Sequence, residues 1–242
     1  DNSFASLYYK EMGQGMPLIM LHGNGESHEI FARLSELMSR YYRVILMDSR
    51  GHGSSLMRGD AARGDLTISD MAADVVQVME FLHVPRAVIL GFSDGANVAL
   101  ETASCYPGRV SAVVAVSGNA LPRGMSTASL MEVKLKYALW HGLEKIPLPR
   151  GVRDKAVKSR QLFGLMARWP RLDKEKLSCI QAPVLILTGR RDMMRPRHSL
   201  WMGEQIPDSK VVFVKGADHF TLLKKERAYA GHIVRWLREK GL

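Results

Sequence analysis

The feature that most constrains this chain is a serine, Ser93, with one glycine two residues before it and another two residues after it. Residues 87–90 are an apolar run typical of a buried strand, and residues 96–103 are typical of a helix. We therefore predict a sharp turn from strand to helix, in which Gly91 and Gly95 let the two elements pass closely. The turn exposes the hydroxyl beside a helix N-terminus, which favours negative charge. A glycine-flanked turn without a chemical role is the alternative interpretation.

Apolar runs alternate with helical patterns along most of the chain, which is typical of an α/β fold with a parallel sheet covered by helices on both faces. The predicted strands of this sheet are residues 18–21, 44–47, 87–90, 110–116, 184–187 and 211–214. Residues 7–16 are predicted to form a hairpin before the first of them. A chain of 242 residues is long enough to bury one sizeable core.

The alternation stops over residues 121–181, which contain no clear buried strand. This segment has two helical patterns, around 128–141 and 153–169, and prolines separate them. An insertion between two strands explains such a segment better than a second domain with its own core. We therefore predict a core formed by residues 1–120 and 182–242, with a helical insertion at 121–181.

Three side chains with complementary chemistry follow three of the predicted strands, and they are Ser93, Asp192 and His219. In an open α/β sheet, functional sites gather at the carboxyl ends of the strands. A serine hydroxyl is a weak nucleophile, so a neutral imidazole must accept its proton and a carboxylate must orient that imidazole. The order Ser, Asp, His along the chain is the one expected when the serine lies on such a turn. Alternatively, Asp192 closes a turn and His219 is an ordinary loop histidine.

Acyl transfer also needs hydrogen-bond donors for the negatively charged oxygen of the intermediate. We predict that the backbone N–H groups of Asp94 and Asn24 supply them, since Asp94 follows the serine and Asn24 lies in the loop after an early strand. His22 and His52 lie in glycine-containing loops and are interpreted as bracing residues. No cluster of His, Cys, Asp or Glu has the spacing of a metal site, so we predict neither a metal nor a cofactor.

Five segments together resemble the α/β-hydrolase superfamily, and the resemblance extends over nearly the whole chain. They are HGNG at 22–25, DSRGHG at 48–53, GFSDG at 91–95, GRRD at 189–192 and ADHF at 217–220. Within the superfamily, the chain is similar to the compact cofactor-free group that contains carboxylesterases, lactonases, carbon–carbon bond hydrolases, perhydrolases and proline iminopeptidases. The resemblance implies an eight-stranded, mostly parallel sheet, and it makes residues 121–181 a cap over the active site. Members that use an aspartate nucleophile are disfavoured by Ser93.

The expected function is that of a serine hydrolase that cleaves a small carboxylic ester, a lactone or a related acyl compound through an acyl-enzyme. A ligand-binding protein that keeps the fold without catalysis is the alternative from another class. Among enzymes, a carbon–carbon bond hydrolase or a perhydrolase stays open, because the cap is where members of the superfamily differ most.

The net charge of +10 is concentrated in residues 121–181, and no nucleic-acid-binding motif accompanies it, so we do not predict a nucleic-acid partner. Solvated faces of two amphipathic helices are one explanation of this charge. The other places cations at the entrance of the cleft, namely Arg150, Arg153, Lys155, Lys158 and Arg160. The predicted apolar pocket beneath them consists of Trp140, Leu165, Met166 and Trp169. The second explanation predicts a small-molecule substrate with an apolar acyl group and an anionic end.

The location of the protein is inferred from what the sequence lacks. No apolar run approaches the roughly 20 residues of a membrane span, and the first residues do not resemble a signal peptide. Cys105 and Cys179 do not suggest a disulfide framework and are expected to be buried free thiols. We therefore expect a cytoplasmic protein.

Overall fold

The computed structural model describes residues 5–242, and its centre is a seven-stranded sheet in the order β2-β4-β3-β6-β7-β8-β9. All neighbouring strands of this sheet are parallel except β2, which runs antiparallel to β4. A separate two-stranded ribbon pairs β1 with β5. In chain order, the strands β1 to β9 are Ala5–Ser6, Tyr9–Met12, Pro17–Leu21, Arg43–Met47, Leu56–Met57, Ala87–Phe92, Val110–Val116, Val184–Arg191 and Ser209–Asp218.

Eight α-helices connect these strands within the described residues. In chain order, the helices α1 to α8 are Ala32–Met38, Ile68–Phe81, Asp94–Cys105, Thr127–Glu144, Arg150–Arg168, Lys174–Ser178, Pro196–Gln205 and Glu226–Glu239. Short 3₁₀ turns occur at His28–Phe31, Gly59–Ala62, Pro107–Arg109, Pro122–Gly124 and Thr221–Leu223. None of the helices within residues 5–242 combines the length and apolar character that a membrane crossing requires.

Two expectations about the sheet are wrong, although the α/β class is confirmed. The main sheet has seven strands in residues 5–242 and not eight, because the short β1 pairs with β5 outside it. The predicted hairpin over residues 7–16 does not form, because β2 pairs with β4, with Tyr9 opposite Met47. The sequence of β2 suits this edge position, since Lys10 and Glu11 are exposed there.

The core lies on both faces of the sheet. Successive residues of β3 point to opposite faces, so that Ile19 and Leu21 pack with α2 and α3, whereas Leu18 and Met20 pack with α1 and α8. All four side chains are fully buried. Because helices cover both faces, the central strands have continuous apolar sequences instead of an alternating pattern.

Between β7 and β8 the chain forms α4, α5 and α6 and adds no strand to the main sheet. The long helices α4 and α5 pack against each other. Arg160 of α5 is buried and forms ion pairs with Asp65 and Glu144, and its Nη2 donates to the carbonyl of Arg63 at 2.6 Å. This contact ties α5 to the loop before α2. The exact division at residues 121 and 182 stays a prediction.

Both cysteines are exposed, so the expectation of buried thiols is wrong. Cys105 is the last residue of α3, and Cys179 directly follows α6. Both helices end at the protein surface, and this places the two side chains there.

Two buried histidines of the core are held in the neutral form. Burial, followed by the charge of His22, lowers the pKa of His52 to about 4. Burial, followed by the charges of Arg123 and Arg195, lowers the pKa of His198 to about 4. The backbone N–H of Ala120 donates to His198 Nε2 at 3.0 Å, and this bond requires an unprotonated nitrogen.

We expect His198→Gln to reduce the loss of stability in acid. A histidine with a folded-state pKa near 4 and an unfolded value near 6.5 adds stability that is complete above pH 6.5 and is lost as the pH falls toward 4. At pH 4.5 this loss is roughly 2.5 kcal/mol for one such group. Urea denaturation at pH 7.5, 6.5, 5.5 and 4.5 measures the free energies of unfolding of the wild type and of His198→Gln.

The control is His232→Gln, which replaces an exposed histidine and should follow the wild-type curve. If the free energies of unfolding of His198→Gln and the wild type fall in parallel between pH 6.5 and 4.5, His198 is not an acid-labile group.

Candidate active site

The turn at Ser93 has the geometry that the sequence predicts. Strand β6 ends at Phe92 and α3 begins at Asp94, while Ser93 itself has φ 53° and ψ −119°. A positive φ is unfavourable for a residue with a side chain, by about 1–3 kcal/mol. A Cβ at Gly91 would lie 2.1 Å from the carbonyl oxygen of Gly95, and a Cβ at Gly95 would lie 2.1 Å from that of Leu21. No residue other than glycine fits at either position.

The structure brings Ser93, His219 and Asp192 together. Ser93 follows β6, Asp192 follows β8 and His219 follows β9, so all three lie at the carboxyl edge of the sheet. His219 Nε2 is 3.1 Å from Ser93 Oγ, and His219 Nδ1 is 2.8 Å from Asp192 Oδ1. One ring nitrogen therefore faces the hydroxyl and the other faces the carboxylate.

The carboxylate of Asp192 is completely enclosed and heavily hydrogen-bonded. Ser117 Oγ donates to Oδ2 at 2.6 Å, and the backbone N–H of Met194 donates to Oδ1 at 3.1 Å. Burial alone would raise the pKa of Asp192, but the contact with His219 and the bonds from Ser117 and Met194 together lower it. The site therefore favours the anionic form of Asp192, with Oδ1 against His219 Nδ1.

Ser117 is a site residue that sequence reasoning missed. It directly follows β7, which lies between β6 and β8 in the sheet. The sequence does contain a signal for Ser117, because it follows a predicted strand, as Ser93, Asp192 and His219 do. Functional side chains gather at the carboxyl ends of such strands. Like Ser93, Ser117 has a positive φ, of 54°.

The two predicted oxyanion donors lie beside Ser93. Asp94 is the first residue of α3, so its N–H has no acceptor within the helix. The loop after β3 runs against the serine, since a Cβ at Gly23 would lie 3.1 Å from Ser93 Cβ. Within residues 5–242, the backbone N–H groups of Asn24 and Asp94 donate to no protein acceptor. Their role as oxyanion donors stays a prediction.

The side chain of Asp94 belongs to a buried polar network. Its Oδ2 accepts from Asn24 Nδ2 at 2.8 Å and its Oδ1 accepts from Asn97 Nδ2 at 3.0 Å. Asn24 Nδ2 also donates to the carbonyl of Leu162 in α5 at 3.1 Å, and Asn97 Nδ2 bonds Asn119 Oδ1 at 3.1 Å. Burial raises the pKa of Asp94 although the two amides lower it. The network joins the loop after β3, the turn at Ser93 and the helix α5.

A cavity of about 250 Å³ opens above Ser93 and His219. Its apolar walls come from the end of β6, from loops of the core, from α4 and from α5 with the residue that follows it. They consist of Phe92, Met125, Val133, Phe163, Met166, Trp169, Met193, Met194 and Phe220. Of the four predicted pocket residues, Met166 and Trp169 line this cavity, whereas Leu165 and Trp140 do not.

The two exceptions follow from helix geometry. Leu165 is next to Met166 in α5, so its side chain leaves the helix about 100° away and packs in the core, where it is 1% exposed. Trp140 lies two turns beyond Val133 in α4, which is about 10 Å farther along the helix axis.

Three carboxylic acid residues line the cavity, namely Glu26, Asp94 and Glu132. In the part of the chain that the structure describes, no Lys or Arg lines it. Cations at the entrance stay a prediction that the lining of the cavity does not support. Four of the five predicted cations are exposed, namely Arg150, Arg153, Lys155 and Lys158. The fifth, Arg160, forms ion pairs with Asp65 and Glu144. These positions agree with the explanation of the basic charge by solvated helix faces.

Comparison with known proteins identifies the family. The family model described as alpha/beta hydrolase fold matches residues 16–143, which is more than half of the chain. The chain belongs to the α/β-hydrolase fold family. Within residues 5–242, no three or more His, Cys, Asp or Glu side chains of this α/β-hydrolase form a group that could bind a metal ion.

Two relatives and one solved structure illustrate the range of this family. The chain is 30% identical to a pimeloyl-acyl-carrier-protein methyl ester esterase of Chromobacterium violaceum, over 94% of this chain and 98% of the relative. It is 27% identical to a 2-hydroxy-6-oxononadienedioate/2-hydroxy-6-oxononatrienedioate hydrolase of Pseudomonas putida, over 88% of this chain and 85% of the relative. The enol-lactonase of Burkholderia xenovorans LB400 has the same fold, with a TM-score of 0.76 and 19% identity over 97% of both chains.

We expect Asn24 and Asp94 to be coupled in stability. A double-mutant cycle with Asn24→Ala and Asp94→Ala should give a coupling energy of about 1.5–3 kcal/mol, because the bond between them joins an amide to a buried carboxylate. Urea denaturation of the four proteins measures the free energies of unfolding.

A second cycle, with Asn24→Ala and Thr67→Ala, provides the control. Thr67 caps α2 and shares no hydrogen-bond partner with Asn24, so these two changes should add within about 0.5 kcal/mol. Additive effects of Asn24→Ala and Asp94→Ala would show that the bond between these two side chains does not stabilise the fold.

Proposed function

We propose that this chain is a serine hydrolase that cleaves a small carboxylic ester, a lactone or a related acyl compound through an acyl-enzyme. The observation that carries the proposal is the position of His219, with Nε2 3.1 Å from Ser93 Oγ and Nδ1 2.8 Å from Asp192 Oδ1. The relative from Chromobacterium violaceum, which is named as a methyl ester esterase, supports the same reaction class.

In the first half of the proposed reaction, Ser93 Oγ attacks the carbonyl carbon of the substrate and passes its proton to His219 Nε2. The carbonyl oxygen becomes an anion that accepts hydrogen bonds from the N–H groups of Asn24 and Asp94. Asp192 stabilises the imidazolium of His219. The carbon–oxygen bond of the leaving alcohol then breaks, His219 returns the proton to that alcohol, and Ser93 carries the acyl group.

In the second half, His219 Nε2 takes a proton from water, and the resulting hydroxide equivalent attacks the acyl ester. The bond to Ser93 Oγ breaks, the serine regains its proton from His219, and the carboxylic acid leaves. General acid–base catalysis of this kind typically contributes about 10²–10⁴-fold, and each oxyanion donor about 10²–10³-fold. The apolar walls of the cavity suit the hydrocarbon part of an acyl group.

Carbon–carbon bond cleavage is the second candidate, because the relative from Pseudomonas putida is named as a hydrolase of a dienedioate or trienedioate. A dioate carries two carboxylates, whereas Glu26 and Asp94 line this cavity and no Lys or Arg does so in the described residues. Ester or lactone cleavage is therefore the better supported reaction. A ligand-binding protein without catalysis stays the alternative from another class, and the cytoplasmic location stays a prediction.

Replacement of Ser93 by alanine should abolish turnover and leave the fold intact. We expect kcat for small acyl esters to fall by at least about 10⁴-fold, because alanine has no hydroxyl that could carry the acyl group. A fluorophosphonate probe should label the wild type and not Ser93→Ala, as read by mass spectrometry, and circular dichroism should be unchanged.

The matched control is Ser129→Ala, which removes a different serine that lines the same cavity. This variant should be labelled like the wild type. A folded wild type that the probe leaves unlabelled would instead support the ligand-binding alternative, and a labelled Ser93→Ala would mean that another residue is the nucleophile.

Ser117 should act as a positioning residue for Asp192. We expect Ser117→Ala to lower kcat by about tenfold with little change in KM, because Asp192 loses a charge-assisted hydrogen bond. Ser117→Gly removes the same hydroxyl but relieves the positive φ, so the two variants separate the hydrogen bond from backbone strain. Both should lose kcat equally, and a Ser117→Gly enzyme with wild-type kcat would exclude a role for the bond.

A further inference from the structure

Glu26 is a carboxylate in the cavity that the proposed mechanism does not use. It lies two residues after Asn24, in the loop that follows β3, and it lines the cavity together with Ser93 and His219. Its Oε2 accepts a hydrogen bond from the backbone N–H of Gly23 at 2.9 Å. Within the described residues, Oε1 receives no hydrogen bond, so this half-buried side chain, which lines the cavity, has one acceptor atom without a donor.

The other acidic residues of the cavity are compensated. Asp94 accepts hydrogen bonds on both oxygens, from Asn24 and Asn97. Glu132 forms an ion pair with Lys136, one turn farther along α4. Glu26 has no ion pair in residues 5–242. It is therefore the carboxylate of this cavity that has both an open acceptor atom and no cationic partner.

The surroundings of Glu26 make its charge costly. Burial raises its pKa, and the negative charge of Asp94 acts in the same direction, while the bond from Gly23 and the field of His219 act in the opposite direction. A half-buried carboxylate gains most from a partner that brings a positive charge or a polar hydrogen. An anionic group in the same place would meet like charge at low local dielectric.

We propose that Glu26 selects the substrate: the cavity takes acyl compounds that present a cationic or hydrogen-bond-donating group to Oε1, such as an ammonium or hydroxyl group, and it disfavours anionic ones. This inference rests on the proposed hydrolase function and names the substrate class of that site. It reverses the preference for an anionic end that the basic composition of residues 121–181 predicts.

A purely structural role of Glu26 has a different signature. Its bond to the N–H of Gly23 shapes the loop that carries Asn24, so removal of the side chain would disturb every substrate alike. Glu26→Gln separates the two roles, because the amide oxygen still accepts from Gly23 and only the charge is lost. Glu26→Ala removes both.

The test uses three methyl esters with the same chain length and different ends: methyl 6-aminohexanoate, methyl heptanoate and monomethyl heptanedioate. A second pair places the charge on the alcohol, with hexanoate esters of choline and of its uncharged carbon analogue 3,3-dimethylbutanol. We measure kcat/KM divided by the alkaline hydrolysis rate of each ester. Dissociation constants on Ser93→Ala, obtained by calorimetry, give a readout that requires no turnover.

In at least one series, the cationic ester should be favoured over its neutral analogue by about tenfold, both in kcat/KM and in affinity for Ser93→Ala. In the acyl series the anionic ester should be the poorest. In Glu26→Gln the cationic advantage should fall to less than about twofold, because the cationic ester loses much more of its rate than the neutral ester does. In Glu132→Gln, the control at an ion-paired carboxylate of the same cavity, the advantage should persist.

Three results would overturn the inference: no cationic preference in either series, a preference that survives in Glu26→Gln, or an equal loss for every ester in Glu26→Gln. Failure of the proposed hydrolase function looks different. In that case the wild type neither turns over esters nor reacts with the fluorophosphonate, and the affinities on Ser93→Ala still decide whether Glu26 recognises a cation.

Discussion

The structure depends on one close crossing of backbones, where the start of α3 passes over the end of β3. Gly95 leaves no room for a side chain, since a Cβ there would lie 2.1 Å from the carbonyl oxygen of Leu21. This crossing determines how near Ser93 lies to the loop that carries Asn24. The strained φ of Ser93 is maintained because β6 and α3 are each held by a buried cluster, and these clusters offset the local cost.

Local patterns made much of this arrangement predictable. The turn at Ser93 is encoded within five residues, and the strands that precede Asp192 and His219 contain short apolar runs, which are typical of strands in a covered sheet. Parallel strands place their carboxyl ends at one edge, so three residues far apart in sequence could be expected to meet. The observed contacts of His219 with Ser93 and Asp192 agree with that expectation.

Features that depend on non-local geometry were not predictable. The pairing of β2 depends on which strand lies at the edge of the sheet, and the local sequence pattern of β2 does not indicate this. Whether Leu165 or Met166 faces the cavity depends on the rotation of α5 against the core, and neighbouring residues of a helix differ by about 100°. Total charge was equally uninformative, because the cations of α5 point to solvent or to Asp65 and Glu144, while the cavity contains carboxylates.

The amide of Asn24 has a consequence for motion. One nitrogen bonds both Asp94, at the floor of the site, and the carbonyl of Leu162, in the helix that covers it. A displacement of α5 away from the core would lengthen the bond from Asn24 to Leu162, whereas the bond to Asp94 joins two parts of the core and would stay. A single nitrogen therefore couples the position of the covering helix to the loop that carries Asn24.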